Sequence, residues 1–115
     1  MTPDELKART LDELHALRKD MNSTEWRTAL DGAAPDDRRK AVEALLDVQE
    51  TILALENAQL AAIRDKLIAN ETALADGIAR LARARERLGQ AREVIEAVGG
   101  LVGTVVKVVK IAGGV

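Results

Sequence analysis

Few residues in this chain are equipped for chemistry. There is one histidine, His15, and no cysteine, so a thiolate nucleophile or a cysteine-based metal site cannot be built. His15 stands at helical spacing from Asp12 and Lys19, the surroundings of a histidine at the edge of a core or on a surface rather than of a positioned acid or base. No glycine-rich phosphate loop follows an apolar strand pattern anywhere in the chain. Glu43, Asp47 and Glu50 share one helical face. They would suit a hard cation if symmetry brought copies together, yet the Glu-x-x-His pairs of di-metal bundles are absent. These patterns predict a protein that is not an enzyme and that takes no metal and no cofactor.

Two further segments carry chemistry of another kind. Arg80, Arg83, Arg85, Arg87 and Arg92 form the densest charge cluster. A guanidinium presents a planar fork to phosphate, so Arg80, Arg83 and Arg87 are the candidate contacts for an anionic partner. Without interleaved aromatic residues to stack on bases, nucleic acid is the weaker form of that reading. The plainer one is a solvated helix flank paired with Glu86 and Glu93.

The C-terminal segment is rich in valine and glycine. Leu101, Val102, Val105, Val106 and Val109 line an apolar face, with Lys107 and Lys110 on a small, cationic one; these seven residues are the candidate docking tail. The apolar residues favour membrane insertion by roughly 2–5 kcal/mol, whereas two lysines near a helix centre oppose it by roughly 5–7 kcal/mol. A simple span is therefore disfavoured, and the tail reads as an amphipathic element that packs in protein or lies in a membrane interface. Its Val-Val-Lys-Val-Val-Lys-Ile run is also β-prone, which keeps a strand added to a partner sheet open.

These segments must be held by helices. Thr2-Pro3-Asp4-Glu5 joins a cap, a proline in the first turn and a capping-box glutamate. Leu6, Leu11, Leu14, Leu17 and Met21 then follow mostly at three- and four-residue steps. Asn22-Ser23 ends this helix and caps a second, from about Thr24 to Leu30, and Gly32 and Pro35 separate it from a third. From Pro35 to the paired glycines Gly99-Gly100 nothing interrupts the helical pattern, which predicts about 95 Å of continuous helix. Leu46, Leu53, Leu60, Leu67, Leu74, Leu81, Leu88, Ile95, Val102 and Val109 recur at intervals of seven. A strict seven-residue column faces one partner only in a left-handed supercoil, because a straight helix drifts about 20° per heptad. Leu46 to Ile95 are thus the candidate oligomerisation residues. A second stripe, Leu45, Val48, Ile52, Leu55 and Ala62, makes the apolar face too wide for a two-stranded seam; the N-terminal helices, anchored by Trp26, are expected to fold back over it.

Composition agrees with an all-α chain. Among 115 residues there is one tryptophan, no phenylalanine and no tyrosine, so burial must come from aliphatic side chains along extended contacts. Residues 1–75 carry ten Lys or Arg against fifteen Asp or Glu, a net of −5, and residues 76–115 carry seven against four, a net of +3; the molecule is electrically polar along its length. The first residues lack the basic flank and apolar run of a secretory signal, so a cytoplasmic location is expected, with membrane association or incorporation into a particle as variants.

The expected organisation is N-terminal helices over 1–34, a long coiled-coil helix over 35–98 and an apolar amphipathic tail over 99–115. The expected role is a homo-oligomeric assembly protein, part of a bacterial or bacteriophage particle or machine, docked through its tail. One alternative is a membrane-associated or pore-forming protein: a coiled coil with a short apolar tail resembles the small accessory proteins of phage lysis cassettes, from which Lys107 and Lys110 depart. The other is an adaptor for nucleic acid or another anionic partner through Arg80–Arg92.

Overall fold

The computed structural model describes residues 1–112, with side chains through Val109. The protein is all-α: the described residues form six helices, α1 (Pro3–Asp20), α2 (Thr24–Asp31), α3 (Pro35–Asn57), α4 (Leu60–Ala69), α5 (Glu71–Arg85) and α6 (Ala91–Ala112). The capping box at the start of α1 forms as its residues dictate: the Glu5 amide donates to Thr2 Oγ1 and the Thr2 amide to Glu5 Oε1, both at 3.2 Å. Ser23 Oγ accepts the Trp26 amide at 3.2 Å and caps α2.

The elements form an up-down-up-down bundle. Lys7 near the start of α1 reaches Ala58 beyond the end of α3, so these two helices are antiparallel. Met1 meets Glu71, and Asp20 meets Arg85, so α1 and α5 run parallel. Arg80 approaches Glu96, making α5 and α6 antiparallel, and Arg92 approaches Asp37, making α3 and α6 parallel. α1 and α6 each pack on α3 and on the α4–α5 arm, so they stand between α3 and α5. At the centre, Thr10, Leu55, Leu67, Leu74, Val105 and Val108 converge from all four sides. Thr10 is buried there and satisfies its hydroxyl on the Leu6 carbonyl at 2.6 Å. The fold-back over the second stripe is present in part: Val48, Ile52 and Leu55 are buried, α1 and α2 pack on α3 and Trp26 is buried, but α6 also covers α3, Leu45 is only partly buried, and Ala62 is exposed on α4.

The run predicted as one helix from Pro35 to Val98 is instead divided. The molecule measures 44 × 27 × 18 Å, less than half the length expected of an unbroken rod. Ala58 and Gln59 adopt extended backbone, and Lys7 Nζ donates to the Ala58 carbonyl at 2.8 Å, satisfying an acceptor freed at the helix end. Asn70 lies between α4 and α5 and marks a kink; its Nδ2 donates to the Lys66 carbonyl at 2.8 Å. Residues 86–90 turn the chain back into α6. The physical reason is coverage: a single chain with two apolar stripes leaves both wet as a rod, and burying them against each other outweighs the few helical hydrogen bonds lost at the breaks.

The paired glycines behave in the opposite way. α6 runs unbroken through Gly99 and Gly100, because Ala97, Val98, Leu101 and Val105 are all buried in the bundle and their packing offsets about 1 kcal/mol of lost propensity per glycine. The boundary expected at residue 99 is therefore not a structural one. Gly77 lets α5 and α6 approach closely: a Cβ there would lie 3.1 Å from Leu101 Cδ1 and 3.6 Å from Leu101 Cα.

Candidate assembly surface

The candidate oligomerisation column is divided by the fold. Leu67, Leu74, Leu81 and Leu88 are buried in the chain's own core, and Leu60, Ile95, Val102 and Val109 are partly buried against it. Only Leu46 and Leu53, on α3, remain outside, 54% and 61% exposed, joined by Val42 at 61%. These three lie on the face of α3 opposite its core residues Ala41, Ala44, Val48, Ile52 and Leu55. Together they form an exposed apolar stripe along one helix face. On the acidic side of this stripe Glu43, Asp47 and Glu50 are all exposed.

Beside the stripe, a groove of about 250 Å³ runs between α3 and the end of α6, lined by Glu50, Thr51, Ala54, Val105, Val106 and Val109. One of its walls is the segment expected to dock. Within that tail Leu101 and Val105 are buried, Val102 and Val109 half-buried, and Val106 and Lys107 exposed; the side chain of Lys110 lies outside the described residues. Most of the valine face is thus already covered by α3, α4 and α5, and no described helix is long and apolar enough to cross a membrane.

The arginine cluster is also divided. Arg85 turns inward, donating to Asp20 at 2.7 Å and to Glu13 at 3.0 Å, and so bolts α5 to α1. Burial opposes its charge, but the hydrogen bonds to Asp20 and Glu13 outweigh that effect and its pKa is raised. Arg92 donates to Asp37 at 3.3 Å, and Arg80 stands 3.8 Å from Glu96. Arg83 and Arg87 are exposed and hold no ion pair among the described residues. His15 is half-buried, with Nδ1 3.1 Å from Arg18 and Nε2 3.4 Å from Glu56. Among the described residues no three His, Cys, Asp or Glu side chains converge as a metal site.

Sequence reasoning passed over two features. Val42 extends the exposed stripe and is detectable as the apolar residue four before Leu46. The Arg85 clamp joins positions 65 and 72 residues apart, and no local pattern announces it. Comparison with protein-family models, with curated proteins and with solved structures gives no match to this chain.

Proposed function

We propose that this protein is a non-enzymatic helical-bundle module whose work is self-association, building a homo-oligomer of the kind used in a bacterial or bacteriophage particle or machine. The observation that carries this reading is the exposed stripe on α3: Leu46 and Leu53, the part of the heptad column that the chain's own fold leaves uncovered, with Val42 beside them. These side chains are already partly covered, so completing their burial contributes about 1–2 kcal/mol each, and the groups flanking them must supply the rest of what association costs. The assembly surface is assigned to α3 rather than to the tail, because Leu101 and Val105 are occupied inside the bundle.

The test is the absolute mass of the full chain across a concentration series, by light scattering, beside Leu46→Gln/Leu53→Gln. The expected result is a wild-type mass that climbs with concentration and a double variant that stays monomeric with unchanged helicity. A wild-type chain that remains monomeric throughout sinks the reading. A second reading, an anionic partner, draws on exposed Arg83 and Arg87; it predicts binding to a polyanion that weakens steeply with salt.

A further inference from the structure

We infer that the α3 stripe of one copy docks against the outer face of α5 on the next copy, antiparallel and head to tail, a geometry that rests on the self-association proposed above. The outer face of α5 is complementary in shape. Thr72, Ala73, Asp76 and Ala79 are exposed there, short side chains N-terminal to Arg80 and Arg83, which leave room for Leu53 of another copy as a knob.

It is also complementary in charge and in spacing. On α3 the exposed acids Glu43, Asp47 and Glu50 follow at steps of four and three; on α5 and the turn after it, the exposed Arg80, Arg83 and Arg87 follow at steps of three and four. Read in opposite directions the two triplets match, each spanning about 10 Å of helix: Glu50 meets Arg80, Asp47 meets Arg83 and Glu43 meets Arg87. On each helix the triplet lies on the same flank of the outward face, and antiparallel packing brings like flanks together, so acid meets base along the whole contact. A symmetric antiparallel pairing of two α3 stripes would set each acidic triplet against the other instead, which like-charge repulsion disfavours.

The placement of the two faces decides what such a contact builds. α1 and α6 stand between α3 and α5, so the faces point to opposite sides of the bundle and engaging one leaves the other open. Within a chain α3 and α5 run in opposite directions, so an antiparallel α3–α5 contact keeps successive copies in the same orientation. A heterologous contact of this kind closes into a ring or continues as a filament. The opposite net charges of residues 1–75 and 76–115 become the two poles of that contact.

The experiment is sedimentation velocity on the full chain, on Leu46→Gln/Leu53→Gln and on Arg83→Glu/Arg87→Glu, each alone and then the two variants mixed in equal amounts. All four positions are exposed; circular dichroism and Trp26 emission confirm folding, and Leu46→Ala/Leu53→Ala with Arg83→Ala/Arg87→Ala replace any variant that loses helix. The wild type is expected to form species larger than dimers that dissociate as salt rises. Each variant alone should associate about tenfold more weakly or worse, as loss of several matched charges or anchors at an interface implies. The mixture should recover a one-to-one dimer and stop there, because one variant keeps a sound α5 face and the other a sound α3 face. If Arg83→Glu/Arg87→Glu assembles like the wild type while the leucine variant does not, the contact is symmetric through α3 and the head-to-tail inference fails with self-association intact. A wild type that stays monomeric overturns both, and one that gains mass only on added nucleic acid assigns the arginines to that partner and overturns both as well.

Discussion

α3 and the α4–α5 arm carry consecutive stretches of one seven-residue leucine column, and the fold gives the two stretches opposite fates. Leu67, Leu74 and Leu81 are within 1% of full burial, whereas Leu46 and Leu53 are more than half exposed. The same holds for charge: Arg85 on α5 is drawn into a clamp between helices, while Glu43, Asp47 and Glu50 on α3 face solvent. A heptad thus reports that a helix has an apolar edge and not which body that edge meets. In α4–α5 it meets α1 and α6 of the same chain; in α3 that place is taken by the second stripe, and the column is turned outward.

The contrast predicts a ranking of effects. Leu74→Ala or Leu81→Ala should cost about 2–5 kcal/mol of stability, while Leu46→Ala or Leu53→Ala should stay within about 0.5 kcal/mol for the monomer. Urea denaturation at low protein concentration, followed by circular dichroism, compares them. Equal losses would show that the α3 stripe is buried in solution.

Glycines sharpen it next. Gly77→Val places atoms against Leu101 where α5 packs closely on α6 and should destabilise by about 1–3 kcal/mol. A Cβ at Gly99 or Gly103 meets nothing within 4 Å, so Gly99→Ala and Gly103→Ala should each stabilise by about 0.5–1 kcal/mol through helix propensity. Thermal melting distinguishes the signs.

The arginines come third. Arg85→Ala leaves Glu13 and Asp20 facing a partly buried gap, and with the Arg85 side chain a quarter exposed the cost should be about 1–2 kcal/mol; Arg83→Ala should leave monomer stability unchanged within about 0.5 kcal/mol. Lys7→Met removes the donor to the Ala58 carbonyl, at the break that turns the column, and should cost about 0.5–1.5 kcal/mol in the same denaturation assay.

The smallest effect is electrostatic and local. The amide of Thr2, and then its hydroxyl, hold the Glu5 carboxylate below its ordinary value. A group whose folded pKa is depressed supports the fold above its unfolded value and loses that support as pH falls through the folded one. The first turn of α1 should therefore fray on acidification, with Glu5 titrating lower than in Thr2→Ala, as carbon-detected NMR titration would read.

Much was legible in the residues themselves. Caps, prolines and the Gly32–Pro35 punctuation located α1, α2 and the start of α3, because these signals act within a turn of helix and need no partner. The stripe Val48, Ile52 and Leu55 and the anchoring Trp26 were likewise readable as core, since amphipathic width reports how many neighbours a helix must have. The candidate surface was half legible: Leu46 and Leu53 stood in the column, but nothing set them apart from Leu67 or Leu74. The breaks at Ala58–Gln59 and Asn70 carry no proline or glycine, and the glycines at 99 and 100, which do look like a break, sit inside α6.

Sequence alone determined that this chain is helical, that it carries more apolar edge than one helix pairing can cover, and that its charge is divided between its ends. Those properties are sums over neighbours three, four and seven residues apart. Tertiary structure alone decided where the long run folds, which leucines become core and which arginine becomes a clamp. Those outcomes compare the burial gained between distant segments with a few hydrogen bonds lost at a turn, and that balance exists only once the segments meet.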